Sequence, residues 1–413
     1  MVNARLLWVA ETCGRLTDLQ CGFRRRRSAV DLLVNLEGHL QTAFAKKQHT
    51  LGIFIDLEKT YDTTWRFLIL RSFREWGLRG YLPRFVPAFM QNRRFAVRVG
   101  GAQSSFHVQE TGVPQGSVLH VTLFAIAINS IVSVVRTPVR CSLFVDDFAI
   151  YCSSSNLATA ERQLQLTVDR LEMWAAETGF RFSPPKTVSV HFCRKRGLFP
   201  DPAIKLYGEA IPVEPSVRFL GLTLDSRLSW QQHILNLKQR CLKALNIMKC
   251  LSGTSWGADR TVLLRVYRAV VRSKLDYGAM VYSSARPSTI RSLGSVHHAG
   301  IRIATGAFRT SPVESLWAEA GEPPLSLRRE YLLASYAAKI SSMPRHFVYD
   351  QMLHPDNRVY AHKPNATRPA GIRLQDILAK FNLNFSTRAA LYVTSDATLA
   401  RSFYSLRVGA DQV

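Results

Sequence analysis

Apolar and polar positions alternate along the chain with two different periods, and the change from one to the other divides it. Residues 51–56 (LGIFID) are an unbroken apolar run closed by an acid, the pattern of a buried strand that delivers Asp56 at its end. Trp65, Ile69, Phe73 and Trp76 then share one helical face, with Asp62 as the expected N-cap and Gly77 and Gly80 as the stop. Phe95, Val97 and Val99 alternate up to Gly100-Gly101, and Phe106 and Val108 resume the alternation, which predicts a hairpin. Residues 118–135 hold no Lys, Arg, Asp or Glu. The stretch barely reaches spanning length, and His120, Thr122, Asn129, Ser130 and Ser133 dilute it, so it reads as a buried core helix with Ser117 as its cap.

The run SLFVDDFAIY (142–151) alternates on either side of two aspartates and predicts a hairpin with Asp146-Asp147 at its bend. A helix over 158–178 follows, with Leu164, Val168, Leu171, Ala175 and Thr178 in step and Gly179 ending it, then short strands at 187–192, 204–207, 210–213 and 217–222. From about 228 the period is helical: Ile234, Leu237, Cys241, Leu245 and Met248 form an apolar stripe, and Lys238, Arg240, Lys243 and Lys249 lie mostly off it. Beyond about 345 periodicity weakens and Pro and Asn become frequent, which predicts a loosely structured extension.

Composition narrows the function. The 413 residues leave room for two or three domains, and 47% hydrophobic residues exclude a disordered chain. Lys and Arg outnumber Asp and Glu by 54 to 30, a net charge of +24. Residues 1–190 hold 23 basic and 15 acidic side chains, and residues 191–413 hold 31 and 15, so the excess concentrates in the second half. A folded chain this basic expects a polyanion, most often nucleic acid. Seven scattered cysteines without a CxxC pair argue against a disulfide framework and a structural zinc site, and fit a reducing compartment. No leader peptide or membrane segment is expected.

Two acidic positions carry the candidate chemistry. An acid at the end of an apolar strand is costly without a partner or a metal. If the strand ending at Asp56 neighbours the hairpin bearing Asp146 and Asp147, three carboxylates meet on one edge and repel one another until hard divalent cations such as Mg²⁺ occupy the site. Two such ions about 3.5–4 Å apart are the device of polymerases and nucleases. A solvated hairpin tip is the bland alternative.

The order LGIFIDLEKTYD (51–62), GVPQGSVLHVTLF (112–124), FVDD (144–147), FSPPKT (182–187) and VRFLGLTLD (217–225) resembles the successive motifs of reverse transcriptases. QCGFRRRRSAVDLL (20–33) is similar to their QxGFR segment, and LDYGAMVYSS (275–284) and residues 297–340 resemble the region after the thumb. The likeness is to the non-LTR, long-interspersed-element type of the Jockey-like group, over roughly residues 20–345.

The resemblance implies an α+β right-handed polymerase: an antiparallel palm sheet with helices on one face, partial fingers, and a helical thumb and extension. The implied boundaries are 1–48 for partial fingers and template contact, 49–225 for the palm with remaining fingers elements, 226–345 for the thumb and post-thumb region, and 346–413 for a weakly structured extension. It implies RNA-directed DNA synthesis by two-metal nucleotidyl transfer, with an RNA template, a DNA primer and dNTPs as partners. The implied metal ligands are Asp56, Leu57, Asp146 and Asp147, holding two Mg²⁺ for which Mn²⁺ can substitute. Lys186 would protonate the leaving pyrophosphate, Tyr61 would exclude a 2′-hydroxyl, and Gln115 and Gly116 would contact the nucleotide. Arg24, Arg25, Arg26 and Arg27 would follow the template, and Lys238, Arg240 and Lys243 the duplex. The family places such proteins in the nucleus or cytoplasm.

Departures from the pattern are a short stretch ahead of QCGFR, no endonuclease-like or ribonuclease H-like region, His120-Val121 where the family has Ser-Pro, and Pro184-Pro185 before the lysine. They predict a truncated or decaying copy, and the alternative function is an inactive remnant that still binds nucleic acid. An RNA-dependent RNA polymerase or intron maturase is disfavoured by Tyr61 and the thumb-like region.

Overall fold

The structure, a computed structural model, describes residues 1–253, 256–363 and 365–383. The chain separates into two compact units, Met1–Leu228 and Ser229–Val413.

In the first unit, β1 (His49–Ile55), β2 (Arg140–Phe144), β3 (Asp147–Ser154) and β4 (Val188–Phe192) form one sheet in the order β2-β3-β1-β4. Every neighbouring pair is antiparallel. All seven residues of β1 are buried. Leu51, Ile53 and Ile55 stand opposite Cys152, Ile150 and Phe148 and share a core with Leu164, Val168, Leu171 and Trp174 of helix Leu157–Thr178. That helix is capped by the Asn156 side chain, which accepts from the Ala158 N–H at 2.9 Å, and it ends at Gly179 with φ 74°.

The other face is covered as well, which corrects the expectation of helices on one face only. Helix Ala29–Ala45 lies there: Asn35 donates to the Tyr151 hydroxyl at 3.3 Å, and His39 pairs with Ser153 at 2.8 Å. The physical reason is in β1, whose alternate positions Thr50, Gly52 and Phe54 are buried on that face as Leu51, Ile53 and Ile55 are on the other.

Three local expectations shift. Helix Arg66–Glu75 begins after Asp62, which belongs to a separate one-turn helix, Thr60–Thr63, and does not cap it. Ile69 and Phe73 are buried while Trp65 is 46% exposed, so the buried face starts a turn later than expected. The core helix runs from His120 to Ile128 with Leu119 at its N-cap, and the Ser117 hydroxyl donates to Pro114 instead of capping it. The strand expected at 217–222 is a hairpin, Ser216–Phe219 with Leu222–Asp225, turning at Leu220 and Gly221, which both have positive φ. The hairpin around Gly100-Gly101 forms as expected, pairing Arg94 with Val108 and Arg98 with Gln103.

The second unit is helical. Helix Gln231–Leu251 buries the expected stripe and leaves Arg240, Lys243 and Lys249 exposed, with Lys238 half-buried. Gly300, on helix Gly294–Thr305, abuts Tyr267; a Cβ there would lie 2.6 Å from the ring. Glu322 is fully buried between Arg268, at 2.6 Å, and Arg272, at 2.9 Å. The region after 345, expected to be loosely structured, carries helices Tyr349–Leu353, Arg358–Ala361 and Ala370–Lys380, with Val348, Met352, Tyr360 and Leu374 buried. Short helices meeting at close range need little periodicity, and Gly371 allows one such approach to the Gln351 carbonyl. Residues 384–413 of that expectation lie outside the described residues. All seven cysteines are free, and among the described residues no helix is long and apolar enough to cross a membrane.

His297 is buried and bonded through Nδ1 to the Tyr267 hydroxyl at 2.5 Å, and burial lowers its pKa from 6.5 to about 4. The unfolded chain therefore binds the proton first as pH falls, and stability is lost progressively below about pH 6.5. The full shift corresponds to roughly 3 kcal/mol, lost as pH falls from about 6.5 to about 4. His233, lowered likewise to about 4, acts with the same sign. His297→Gln is expected to reduce the pH dependence of the urea midpoint between pH 7 and 5, with His233 sustaining the remainder. An unchanged dependence would remove His297 from the account.

Candidate active site

Asp56 follows the last residue of β1, and its backbone is held from the side. Its carbonyl accepts from Ser183 N–H at 2.8 Å, its N–H donates to the Thr187 hydroxyl at 3.4 Å, and Glu58 N–H bonds the Arg181 carbonyl at 2.9 Å. On the neighbouring strand, Ile55 is opposite Phe148 and Phe144 is opposite Asp147. Asp147 is therefore the first residue of β3, and the bend consists of Val145 and Asp146 rather than of the two aspartates. Val145 takes φ 61°, a left-handed conformation that a β-branched residue rarely adopts.

The carboxylates feel one another. Burial pushes the Asp146 carboxyl above its usual range and the charge of Asp56 adds to it, against one backbone hydrogen bond. Asp147 is pushed up by burial of its carboxyl and then by the charges of Asp146 and Asp56, although the residue as a whole is exposed. Asp56 Oδ2 is buried without a hydrogen-bond partner. Lys186 Nζ lies 3.4 Å from it, an ion-pair distance without hydrogen-bond geometry. Three neighbouring carboxylates, two of them pushed up by burial and by the charge of Asp56, and one Asp56 oxygen with an ammonium beside it but no hydrogen bond, fit a hard divalent cation with oxygen ligands. The Leu57 carbonyl accepts a long bond, 3.5 Å, from the Thr60 hydroxyl.

Among the described residues, the one group of three His, Cys, Asp or Glu side chains with all ligand atoms within 4.8 Å of one another lies elsewhere. It is His49, His191 and Cys193, beyond the opposite end of β1. There the Lys195 ammonium, a donor only, sits 2.9 Å from His49 Nε2, so Nδ1 carries the proton and donates to His191 Nε2 at 3.0 Å. Both lone pairs that a metal would use are engaged in that chain.

Tyr61 lies on the one-turn helix after Asp56, half-buried against Phe124 and His120 with ring centroids 4.9 and 5.4 Å away. Burial and then the Asp146 charge raise its pKa. The Pro114-Gln115-Gly116 turn is docked onto the same segment: Val113 N–H bonds the Tyr61 carbonyl at 2.9 Å, and the Gln115 amide donates to Asp62 at 2.8 Å. Gly112 is the residue that permits this docking, since a Cβ there would lie 2.6 Å from the Tyr61 and Asp62 carbonyls. Gly116 has open space around it and needs glycine only for its φ of 81°.

Residues 1–224, more than half of the chain, match the family model described as reverse transcriptase (RNA-dependent DNA polymerase). The chain belongs to the reverse transcriptase family. It is similar to the RNA-directed DNA polymerase from mobile element jockey of Drosophila melanogaster, 25% identical over 354 residues, covering 83% of this chain and 38% of that one. The probable RNA-directed DNA polymerase from transposon BS of the same organism is 28% identical over 303 residues, covering 70% and 33%. These are relatives of the non-LTR kind that the motif order resembles, and the chain spans little more than a third of their length. Among solved structures, apo telomerase from Candida tropicalis is similar with a TM-score of 0.39 at 12% identity, covering 85% of this chain and 59% of that one.

Within this member of the reverse transcriptase family, the four-arginine run is not a uniform basic strip. Arg24 is buried, forms a bidentate pair with Glu11 at 2.6 and 2.7 Å, and donates to the Gln20 carbonyl at 3.0 Å, which corrects its expected place on the template. Arg27 pairs with Asp18 at 2.5 Å, while Arg25 and Arg26 are exposed. Lys238, Arg240 and Lys243 belong to the second unit. The structure also adds residues that sequence reading passed over. Arg66 clamps the motif turn by donating to the Gly112 and Gln109 carbonyls at 2.9 and 2.7 Å. Asp62 anchors Gln115, Thr187 holds Asp56, and Gln20 reaches Val145. Only Gln20 had a signal, as a long polar residue just before Cys21-Gly22 in the quoted QCGFR segment.

Proposed function

We propose that the chain is the polymerase portion of a non-LTR retrotransposon reverse transcriptase, adding dNTPs to the 3′-hydroxyl of a DNA primer on an RNA template. The facing of Asp56 and Asp147 across the ends of paired strands, with Asp146 on the bend beside them and an Asp56 oxygen that makes no hydrogen bond, carries this reading. In it, the four-stranded sheet is the palm, residues 1–48 and the hairpin region contribute fingers elements, and the helices after Ser229 are the thumb and post-thumb region.

Asp56, Asp146 and the Leu57 carbonyl, with Asp147 alongside, would hold two Mg²⁺ ions, or Mn²⁺ in their place, which would supply charge to lower the pKa of the primer hydroxyl and to stabilise the leaving pyrophosphate. The residues of the chain do the rest by positioning and electrostatics. Asp56, just past the end of a strand buried on both faces, is the rigid member, and Lys186 beside it is the proton donor to the leaving pyrophosphate. Gln115, tethered to Asp62, presents its amide to the nucleotide. Arg25 and Arg26 contact template phosphates, and Lys238, Arg240 and Lys243 contact the duplex.

Extension of a DNA primer on an RNA template with dNTPs and Mg²⁺ or Mn²⁺ tests the reading, and RNA-templated product is the expected result. One observation favours a second reading, an inactive remnant that binds nucleic acid: the Lys186 ammonium already sits on Asp56. Salt-sensitive binding of primer–template without extension would select it.

In this reading the Tyr61 ring, fixed by Phe124 and His120, excludes a 2′-hydroxyl from the nucleotide sugar. Tyr61→Ala is expected to lower discrimination against ribonucleotides by at least about tenfold, read as the dNTP-to-NTP ratio of kcat/KM. An unchanged ratio would remove the residue from sugar selection.

A further inference from the structure

The bend that carries Asp146 is in a conformation its own residues disfavour. Val145 sits at φ 61°, where a β-branched side chain is strained, and such a conformation persists only when its surroundings hold it. The restraint comes from 125 residues away in sequence. Gln20 is fully buried, and its Oε1 accepts from Val145 N–H at 2.9 Å while its Nε2 lies 3.4 Å from the Val145 carbonyl. One side-chain amide thus engages both polar groups of the strained residue, as only a group with donor and acceptor in fixed relation can.

The segment around Gln20 is built to bring that amide in. Gln20 bridges Leu143 in parallel register, and Cys21 N–H bonds the Leu143 carbonyl at 3.1 Å. Gly22 N–H donates to the same Gln20 Oε1 at 3.0 Å. A Cβ at Gly22 would lie 2.3 Å from Val145 Cγ2 and 2.8 Å from Val145 N, so the approach requires glycine. Arg24, buried and paired with Glu11 of helix Val2–Thr12, holds the Gln20 carbonyl from behind.

We infer that Gln20 is a positioning residue for Asp146: it fixes the left-handed Val145 peptide and thereby aims the carboxylate beside Asp56. The inference rests on the proposed catalytic reading of Asp146. It gives the QCGFR segment a task inside the protein, with glutamine as latch, glycine as clearance and arginine as lock.

Gln20→Met keeps the volume and removes both hydrogen-bonding functions. It is expected to lower kcat for primer extension by about 100-fold, the scale of a 1 Å misplacement, with KM for dNTP and primer–template affinity unchanged. Glycine adopts positive φ without strain, so adding Val145→Gly is expected to recover at least tenfold of the loss. Amide hydrogen exchange at Val145 supplies a readout independent of activity, and protection there is expected to fall at least tenfold in Gln20→Met. Wild-type kcat in the single variant, or no recovery in the folded double variant, would overturn the inference. If Gln20→Met does not fold, the double variant is expected to fold and extend, and its failure to do so overturns the inference equally. If the wild type extends no primer, the catalytic reading fails, and unchanged Val145 protection in Gln20→Met separately overturns the latch.

Discussion

Asp146→Asn is expected to abolish the proposed primer extension, with a loss of roughly 10³-fold or more in single-turnover rate. The substitution keeps the size of the side chain and removes its charge. Asp146 is half-buried on the bend facing Asp56, and the charge of Asp56 already raises its pKa. That repulsion is the electrostatic counterpart of a cation site: each carboxylate is unfavourable alone and favourable once a divalent ion lies between them. Removing one halves the ligand charge, so the rate falls while primer–template binding, which depends on remote basic residues, stays. Divalent ions are also expected to stabilise the wild type against heat and the variant much less. Extension at more than a tenth of the wild-type rate would mean that Asp146 holds no essential ion.

Glu322→Ala is expected to destabilise the helical unit by about 3–5 kcal/mol, the usual consequence of removing one partner from a buried ion pair. Glu322 has no solvent exposure and receives bonds from Arg268 at 2.6 Å and from Arg272 through both carboxylate oxygens at 2.9 Å. Arg272 also pairs with Asp276, at 3.8 Å, which Arg328 approaches at 2.9 Å, so loss of Glu322 leaves two guanidinium groups competing for one acid. Hydrogen exchange over residues 260–305 would report the change directly, and a shift in opening free energy below about 1 kcal/mol, the scale of a surface pair, would place the cluster among surface ion pairs. Since Arg268 is 41% exposed, the lower end of the range is expected.

The sequence made the strand ending at Asp56, the hairpin before and after the aspartates, and helix Leu157–Thr178 with its Gly179 stop readable, because each is governed by neighbours within a few positions. What it concealed depends on partners distant along the chain. Asp62 looked like a helix cap, yet its carboxylate belongs to Gln115. Arg24 looked like one of four phosphate contacts, yet Glu11 and the carbonyl of Gln20 take its guanidinium. The second face of the sheet is covered by helix Ala29–Ala45, whose Leu32, Leu33, Leu36, Leu40 and Phe44 are buried and whose Asn35 and His39 bond the sheet, and an apolar helix does not by itself tell which face of a sheet it will cover. The strain at Val145 was invisible because a valine in an alternating run reads as ordinary strand, and only the backbone angle shows otherwise.

The register of β1 against β3 has a consequence for insertions and deletions. Ile55 stands opposite Phe148, so Asp56 and Asp147 face each other across the ends of two strands like marks on a pair of rulers. Between those strands the chain runs out through the exposed hairpin around Gly100-Gly101, where added or missing residues lengthen or shorten a loop and leave both marks in place. Within residues 49–56 or 147–154, a single added or lost residue slides one ruler by a full division, about 3.3 Å, and turns every side chain beyond it to the opposite face. The tolerance of this protein to changes in length is therefore set by position along the ladder rather than by distance from the aspartates.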